Sequence, residues 1–385
     1  MNRKPLSFTD FRRRAKRRLP RAVFDFVDGA AETEFTRRAN ERVFEQVAIR
    51  PRQAVRVETP KLSTTVLGRE ISLPVLLAPL GMARAIAPEG DLAAVRAAGA
   101  AGTGFVLTTM SGHSIEEVAA ASSGPIFYQV YQVGPRSRVE TAVKRAKAAN
   151  YDGLFVTVDT MRNGNRLRDE RNGVYTLLGP NHLAAARYAL PLLRHPFWLA
   201  RRVADGMVPP LANVLLDDGT PQRLGRDRAA SLSWDDIAWL RHLWTGPIVV
   251  KGVLTGDDAR RALDVGADGV VVSNHGGRQL DFAEATLRVL PEIVAATNGR
   301  CEIILDSGIR RGTDVAKALA LGARAVMIGR AWAWGLASGG QAGVGQVLEL
   351  FRRELAGTLA LIGCESVQDL DSSFVRAPSE WMSKP

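Results

Sequence analysis

Eight short apolar runs, rich in Val and Ile, recur along the chain, and each ends in a polar or glycine-bearing tip. They are Pro74–Pro79, Phe105–Thr109, Ile126–Tyr131, Leu154–Asp159, Ile248–Lys251, Gly269–Ser273, Ile303–Asp306 and Ala325–Ile328. Runs that are apolar at nearly every position suit strands buried on both faces of a parallel sheet. Alanine-rich segments with helical spacing lie between most of them, among them Asp91–Ala101, Ser137–Ala149, Gly256–Val265 and Asp314–Leu321. Strand alternating with helix is the pattern of βαβ units, and eight such units close into a (β/α)8 barrel of roughly 250 residues. The rival is an open doubly wound sheet. It usually has fewer strands, and no G-x-G-x-x-G follows the first run here. The late Gly343-Val344-Gly345 lacks the third glycine.

The expected fold is therefore α/β, a TIM (β/α)8 barrel with an N-terminal helical extension and a long insertion after strand four. We read 1–385 as a single domain. Residues 1–70 form a helical cap and a hairpin, 71–360 the barrel, and 176–231 a lid or a membrane-facing insertion. The insertion carries Pro180, Pro191, Pro196, Pro209 and Pro210, with Phe197, Trp198, Arg201 and Arg202 mixed among them. Long insertions in compact folds are usually functional lids or disordered segments. After strand four, this one emerges at the face where barrel active sites are built. Its mixed apolar and cationic residues also suit a membrane surface.

Composition narrows the class. With 46% hydrophobic and 24% charged residues, the chain is not largely disordered. Cys301 and Cys364 are too few for a disulfide framework or a cysteine-built zinc site. No His/Asp/Glu cluster has metal-ligand spacing, so no metal is expected. No apolar run reaches the roughly 18 residues that span a bilayer. The basic start runs into more charge and not into an apolar segment, which argues against a secretory leader. A cytoplasmic protein is expected, peripheral on the inner membrane face in the alternative. The formal net charge of +11 attracts anions. Nine of the first 21 residues are Arg or Lys. This run reads as a solvated helix face or as an attachment to an anionic membrane. No recognition motif accompanies it, so nucleic acid is not expected.

In a barrel, catalytic groups sit at the strand tips. The first tip is Ala78-Pro79-Leu80-Gly81 and the second Thr108-Thr109. The third presents Gln129 and Tyr131, and the fourth Thr157 and Asp159; each pair is two apart and so shares a face. The fifth ends Lys251-Gly252, the sixth Ser273-Asn274-His275-Gly276-Gly277-Arg278, the seventh Asp306-Ser307-Gly308-Ile309-Arg310, and the eighth Gly329-Arg330. Barrels often hold a phosphate after strands seven and eight. Gly308 and Gly329 would admit it to backbone N–H groups, and Arg310 and Arg330 would supply charge. The plainer reading is turn glycines beside solvated arginines. Lys251 ends an apolar strand, where an unpaired cation is costly, so it faces an anion unless it snorkels to the surface. His275 suits proton transfer near neutral pH, with Asp159 as the carboxylate that would orient it; a structural histidine is the alternative. His113, His182, His195 and His242 lack such a setting. Arg166 and Arg278 are forks fit for a carboxylate, unless they merely pair with Asp169 or Asp281.

The string Ser273-Asn274-His275-Gly276-Gly277-Arg278-Gln279-Leu280-Asp281 resembles the active-site signature of the FMN-dependent L-2-hydroxy-acid oxidase/dehydrogenase family. The likeness runs from about Phe8 to about Leu370. It includes Val250-Lys251-Gly252, Leu305-Asp306-Ser307-Gly308-Ile309-Arg310-Arg311-Gly312 and Ile328-Gly329-Arg330-Ala331. The resemblance implies FMN across the barrel mouth. Pro79, Leu80 and Gly81 would line its ring, and Thr108, Gln129, Thr157 and Ser273 would make polar contacts. Lys251 would stand at the flavin N1 region, and Asp306, Gly308, Arg310, Gly329 and Arg330 at the phosphate end.

It further implies oxidation of a small L-2-hydroxy acid to the 2-oxo acid. Arg278, Arg166 and Tyr131 would bind substrate, and His275 with Asp159 would take the hydroxyl proton. The C2 hydrogen would pass to flavin N5 as hydride, or His275 would first form a carbanion. Departures from the family are informative. Phe26 stands where the family carries a substrate-binding tyrosine and cannot donate that hydrogen bond, which implies a weaker hold on small polar substrates or a less usual substrate. Met110 replaces a bulky tryptophan and leaves room for a larger side chain. Gly81 resembles the family's dehydrogenases, which implies a quinone or other carrier as electron acceptor. An oxygen-using oxidase, or a non-catalytic flavin-binding barrel tethered to a membrane, is the alternative. Homo-oligomers, tetramers by analogy, are common in this family.

Overall fold

The computed structural model describes residues 5–177, 189–206, 210–216, 219–223 and 232–381. Eight strands close into one barrel. In chain order they are β1 (Val75–Leu77), β2 (Phe105–Thr108), β3 (Ile126–Val130), β4 (Gly153–Thr157), β5 (Ile248–Val253), β6 (Gly269–Val272), β7 (Glu302–Leu305) and β8 (Ala325–Ile328). Each is parallel to its neighbours, and β8 closes on β1. The expected (β/α)8 barrel is thus the architecture found. The helices between strands include Gly90–Ala100, Arg136–Ala148, Gly256–Asp264 and Gly312–Ala320.

The barrel interior explains the site. Side chains alternate along a strand, and one alternate set packs inside: Leu76, Ala78, Val106, Phe127, Phe155, Val249, Val271, Ile304, Ala325 and Met327. The hairpin Thr64–Val66/Arg69–Ile71 adds Val66, Leu67 and Ile71 to the same cluster. Counting two residues on from an interior position gives Thr108, Gln129, Thr157, Lys251, Ser273, Asp306 and Gly329. Polar groups therefore occupy the top interior layer of a barrel that is apolar below.

The N-terminal segment caps the barrel. Helix α1 (Phe8–Arg18) starts with a capping box from Ser7 and Asp10 and buries Phe8, Phe11 and Ala15. Helix α2 (Arg21–Asp28) brings Phe26 to the barrel mouth. Helix α3 (Phe35–Arg42) follows it. Arg12 grips Asp28 with two hydrogen bonds, at 2.6 and 2.7 Å. Arg168, on α4 (Leu167–Asn172), reaches Asp28 at 3.1 Å and Glu34 at 2.6 Å. The Arg12 pair joins α1 to α2, and the Arg168 pairs tie the cap to α4, after β4.

Part of the insertion expected at 176–231 lies outside the described residues, including His182, Pro180 and Pro209. Its helix α5 (Pro196–Ala204) docks on the short helix Ala83–Ile86 that follows β1. Trp198 Nε1 donates to the Ala85 carbonyl at 3.0 Å, and Arg202 donates to the Arg84 carbonyl at 2.7 Å. The strand Pro210–Leu215 follows, and Asn213 accepts from the Ile115 N–H at 2.9 Å. Leu193, Phe197 and Val203 point outward and are exposed.

Candidate active site

The strand tips enclose one cavity with Phe26 and Val27 of the cap. Its walls hold Pro79, Leu80, Gly81, Met110, Thr108, Gln129, Tyr131, Thr157, Lys251, His275, Arg166, Arg278, Asp306, Gly308, Arg310, Gly329 and Arg330. Asp159 and Ser273 stand directly behind this lining, hydrogen-bonded to His275 and Lys251. The candidates read from the tips are thus brought together.

Three buried polar side chains form a chain across β2, β3 and β4. Thr108 Oγ1 donates to Gln129 Oε1 at 2.8 Å, and Gln129 Nε2 donates to Thr157 Oγ1 at 3.0 Å. Lys251 is buried, with Nζ 2.9 Å from Asp306 Oδ2 and 2.9 Å from Ser273 Oγ. Burial alone would lower its pKa, but Asp306 and Asp159 outweigh that and raise it. The ammonium form is therefore favoured.

His275 lies just past β6, in backbone of left-handed conformation (φ 58°). This is an uncommon place for a residue with a side chain, and such positions cluster at functional sites. Its N–H donates to Ser273 Oγ at 3.1 Å, and Nδ1 lies 2.9 Å from Asp159 Oδ1. Nε2 is left facing the cavity, 3.4 Å from the Tyr131 hydroxyl. Burial pushes the imidazole pKa down, against the opposing pull of Asp159. Burial would raise Asp159, but His275 and Lys251 hold it below its usual value. Both shifts favour a neutral imidazole on an ionised carboxylate, the state in which Nδ1–H donates. Gly252 makes the approach feasible: a Cβ there would stand 2.8 Å from the Asp159 Cβ.

The arginines make the cavity positive. Arg278 Nη1 donates to the Phe26 and Gly29 carbonyls at 2.7 and 2.9 Å, and its guanidinium lies 5.1 Å from the Phe26 ring centroid. Burial, followed by the neighbouring Arg166, lowers its pKa to about 10. Arg166 donates to Gln279 Oε1 at 2.8 Å and to the Arg278 carbonyl at 3.2 Å. The plain pairings with Asp169 and Asp281 do not form. Asp281 instead accepts from Thr33 and Thr36 of the cap, and Asp169 accepts from Tyr175. Arg330 donates to the carbonyls of Val27, Gly276 and Gly29, and Arg310 to Glu41. Burial, together with Arg278 and Arg310, drives the Arg330 pKa well down.

Such mutual repulsion among guanidiniums is relieved by an anion between them. Gly329 leaves open space where a Cβ would project, and at Gly308 (φ +88°) a Cβ would stand 1.9 Å from the Asn40 carbonyl oxygen. The cap therefore presses on the tip of β7, and only glycine fits there. An open positive end, a polar chain over β2–β4 and a buried ammonium fit a group that is anionic at one end and polar at the other.

Comparison with known proteins decides the class. The model of the FMN-dependent dehydrogenase family matches residues 15–377. The chain belongs to that family. It is 44% identical over 375 residues to an L-lactate oxidase of Nostoc sp., spanning 96% of this chain and 98% of that protein. It is 41% identical over 371 residues to an L-lactate dehydrogenase of Xanthomonas axonopodis pv. citri, with 94% of each covered. Among solved structures, the monotopic membrane protein (S)-mandelate dehydrogenase superposes with a TM-score of 0.91 at 38% identity, covering 98% of this chain and 100% of that one. The enzyme is thus an FMN-dependent 2-hydroxy-acid oxidoreductase, as the signature around His275 implied.

Tip reading missed one wall of the cavity. Tyr175, on the short helix Val174–Leu177, and Asn163, in the loop after β4, both line it. Neither sits on a strand tip.

Proposed function

We propose that this enzyme oxidises a lactate- or mandelate-like L-2-hydroxy acid to the 2-oxo acid, with His275 as the base. The observation that carries this reading is the His275–Asp159 pair at 2.9 Å, aimed into a cavity that also holds Arg166 and Arg278. The two guanidiniums bind the substrate carboxylate, since a planar fork matches its two oxygens. That grip sets the 2-hydroxyl toward Nε2, the unprotonated nitrogen of an imidazole whose Nδ1–H is committed to Asp159. Nε2 takes the hydroxyl proton, and Asp159 stabilises the imidazolium that forms. Tyr131, 3.4 Å from Nε2, adds a hydroxyl at the same place. Bound FMN supplies the acceptor for the two electrons and the C2 hydrogen. Pro79, Leu80, Gly81, Thr108, Gln129, Thr157 and Ser273 would hold its ring. Asp306, Gly308, Arg310, Gly329 and Arg330 would hold its phosphate end. Lys251 would offer the ring a fixed positive charge, preorganised for negative charge gained on reduction.

For the electron acceptor, we favour a quinone or other carrier, with the protein peripheral on the inner membrane face. Gly81, the exposed Leu193, Phe197 and Val203 beside arginines of α5, and the monotopic membrane neighbour support it. No described helix is long and apolar enough to cross a membrane. The L-lactate oxidase relative favours oxygen as the second reading. Anaerobic bleaching by L-lactate or (S)-mandelate, followed by reoxidation with air or a quinone analogue, separates the cases. No bleaching by any 2-hydroxy acid would end the proposal, and equal reoxidation by air and quinone would end the carrier assignment. Assembly into a homotetramer is checked by light scattering.

A further inference from the structure

We propose that Tyr175 is a substrate-contact residue, supplying the phenol that position 26 lacks. The inference rests on the hydroxy-acid reading above and names a further residue of the same site. Tyr175 follows α4, which carries the ion pairs to the cap. Its ring stands edge-on to Phe26, with centroids 6.3 Å apart at 87°. The two rings form one aromatic corner of the cavity, and only Tyr175 brings a hydroxyl to it. That hydroxyl donates to Asp169 Oδ2 at 3.3 Å. Asp169 is buried, which raises its pKa, and Arg278 and Arg166 act against that rise. The same two guanidiniums act on the Tyr175 phenol. Tyr175 lines the same cavity as the two arginines that receive the substrate's carboxylate, so its donor can pass from one carboxylate to the other. The bond at 3.3 Å is long for an O–H···O contact, and so a weak one. Tyr175 is half-exposed, which leaves room for the movement.

The test is a titration of oxidised holoenzyme with pyruvate and with phenylglyoxylate, read from the flavin absorbance. These 2-oxo acids bind the seat without turning over. In Tyr175→Phe the dissociation constants should rise about tenfold, the expected loss for one hydrogen bond to a charged group. KM should rise by a similar factor while kcat changes less. Adding Phe26→Tyr to that variant should recover most of the loss, because a phenol returns to the same corner. Dissociation constants within twofold of native, at equal flavin content, would overturn the inference. So would a loss that Phe26→Tyr fails to recover. Should Tyr175→Phe lose flavin, Tyr175→His keeps a donor at the corner, and its binding must then stay within a few-fold of native or the inference fails. Native enzyme that binds neither oxo acid and is not bleached by any hydroxy acid would overturn the underlying reading instead.

Discussion

Replacing Asp159 by Asn isolates the charge behind the base. Asparagine keeps the volume and can keep an oxygen toward His275 Nδ1, now 2.9 Å from the carboxylate. What disappears is the anion that stabilises the imidazolium. Two unit charges about 4 Å apart, at an effective dielectric near 20, interact by about 4 kcal/mol. Only part of that is developed while the proton is in transit, so a loss of about 3 kcal/mol, or roughly 10²-fold in the bleaching rate, is expected. The KM should barely move, because Asp159 touches His275 and not the substrate seat. The pH profile gives the second readout. Burial already holds the His275 pKa below its usual 6.5, and Asp159 opposes that fall. A base must be unprotonated to act, so kcat/KM is lost as pH drops through this pKa. Removing the carboxylate moves that acid limb to still lower pH. The rate at pH 7 therefore falls through lost stabilisation and not through protonation of the base. Anaerobic stopped-flow from pH 5 to 8 measures both. A rate within fivefold of native, or an acid limb moved upward, would refute the reasoning.

Arg278→Met should raise KM for L-lactate or (S)-mandelate roughly a hundredfold or more, since a bidentate charge-assisted pair is lost; steady-state kinetics at matched flavin content check it. Lys251→Met leaves Asp306 buried and unpaired, which costs about 3–5 kcal/mol by urea unfolding. The double variant Lys251→Met with Asp306→Leu should recover stability but not activity. Gly308→Ala forces a side chain into φ +88° and against the Asn40 carbonyl oxygen, so destabilisation of more than about 2 kcal/mol is expected from thermal unfolding.

The barrel was legible because fully buried strands need apolar residues at every position, and each of the eight runs became a strand. Their ends were less legible. Asp159 was read as the end of a strand, but β4 stops at Thr157 and Asp159 lies in the loop beyond. It reaches His275 because Gly252 lets the chains approach, a contact that strand periodicity does not encode. Lys251 facing an anion followed from the cost of burying a cation, and Asp306 is that anion within the protein itself. The arginines were harder to read. Their charge is plain in sequence, but Arg278 and Arg330 both donate to carbonyls of the cap, some 250 residues or more away in the chain. Nothing local specifies such a partner. Tyr175 escaped notice for the same reason: it belongs to a four-residue helix with no pattern of its own and gains meaning only beside Phe26 and Asp169.

The most direct measurement is anaerobic mixing of purified flavin-loaded enzyme with L-lactate and (S)-mandelate, native beside His275→Gln. The native flavin should bleach with one of them, stoichiometrically with 2-oxo acid formed. The variant should keep its flavin and bind pyruvate yet bleach at least 10³-fold more slowly. A variant that bleaches at the native rate would contradict the assignment of the base.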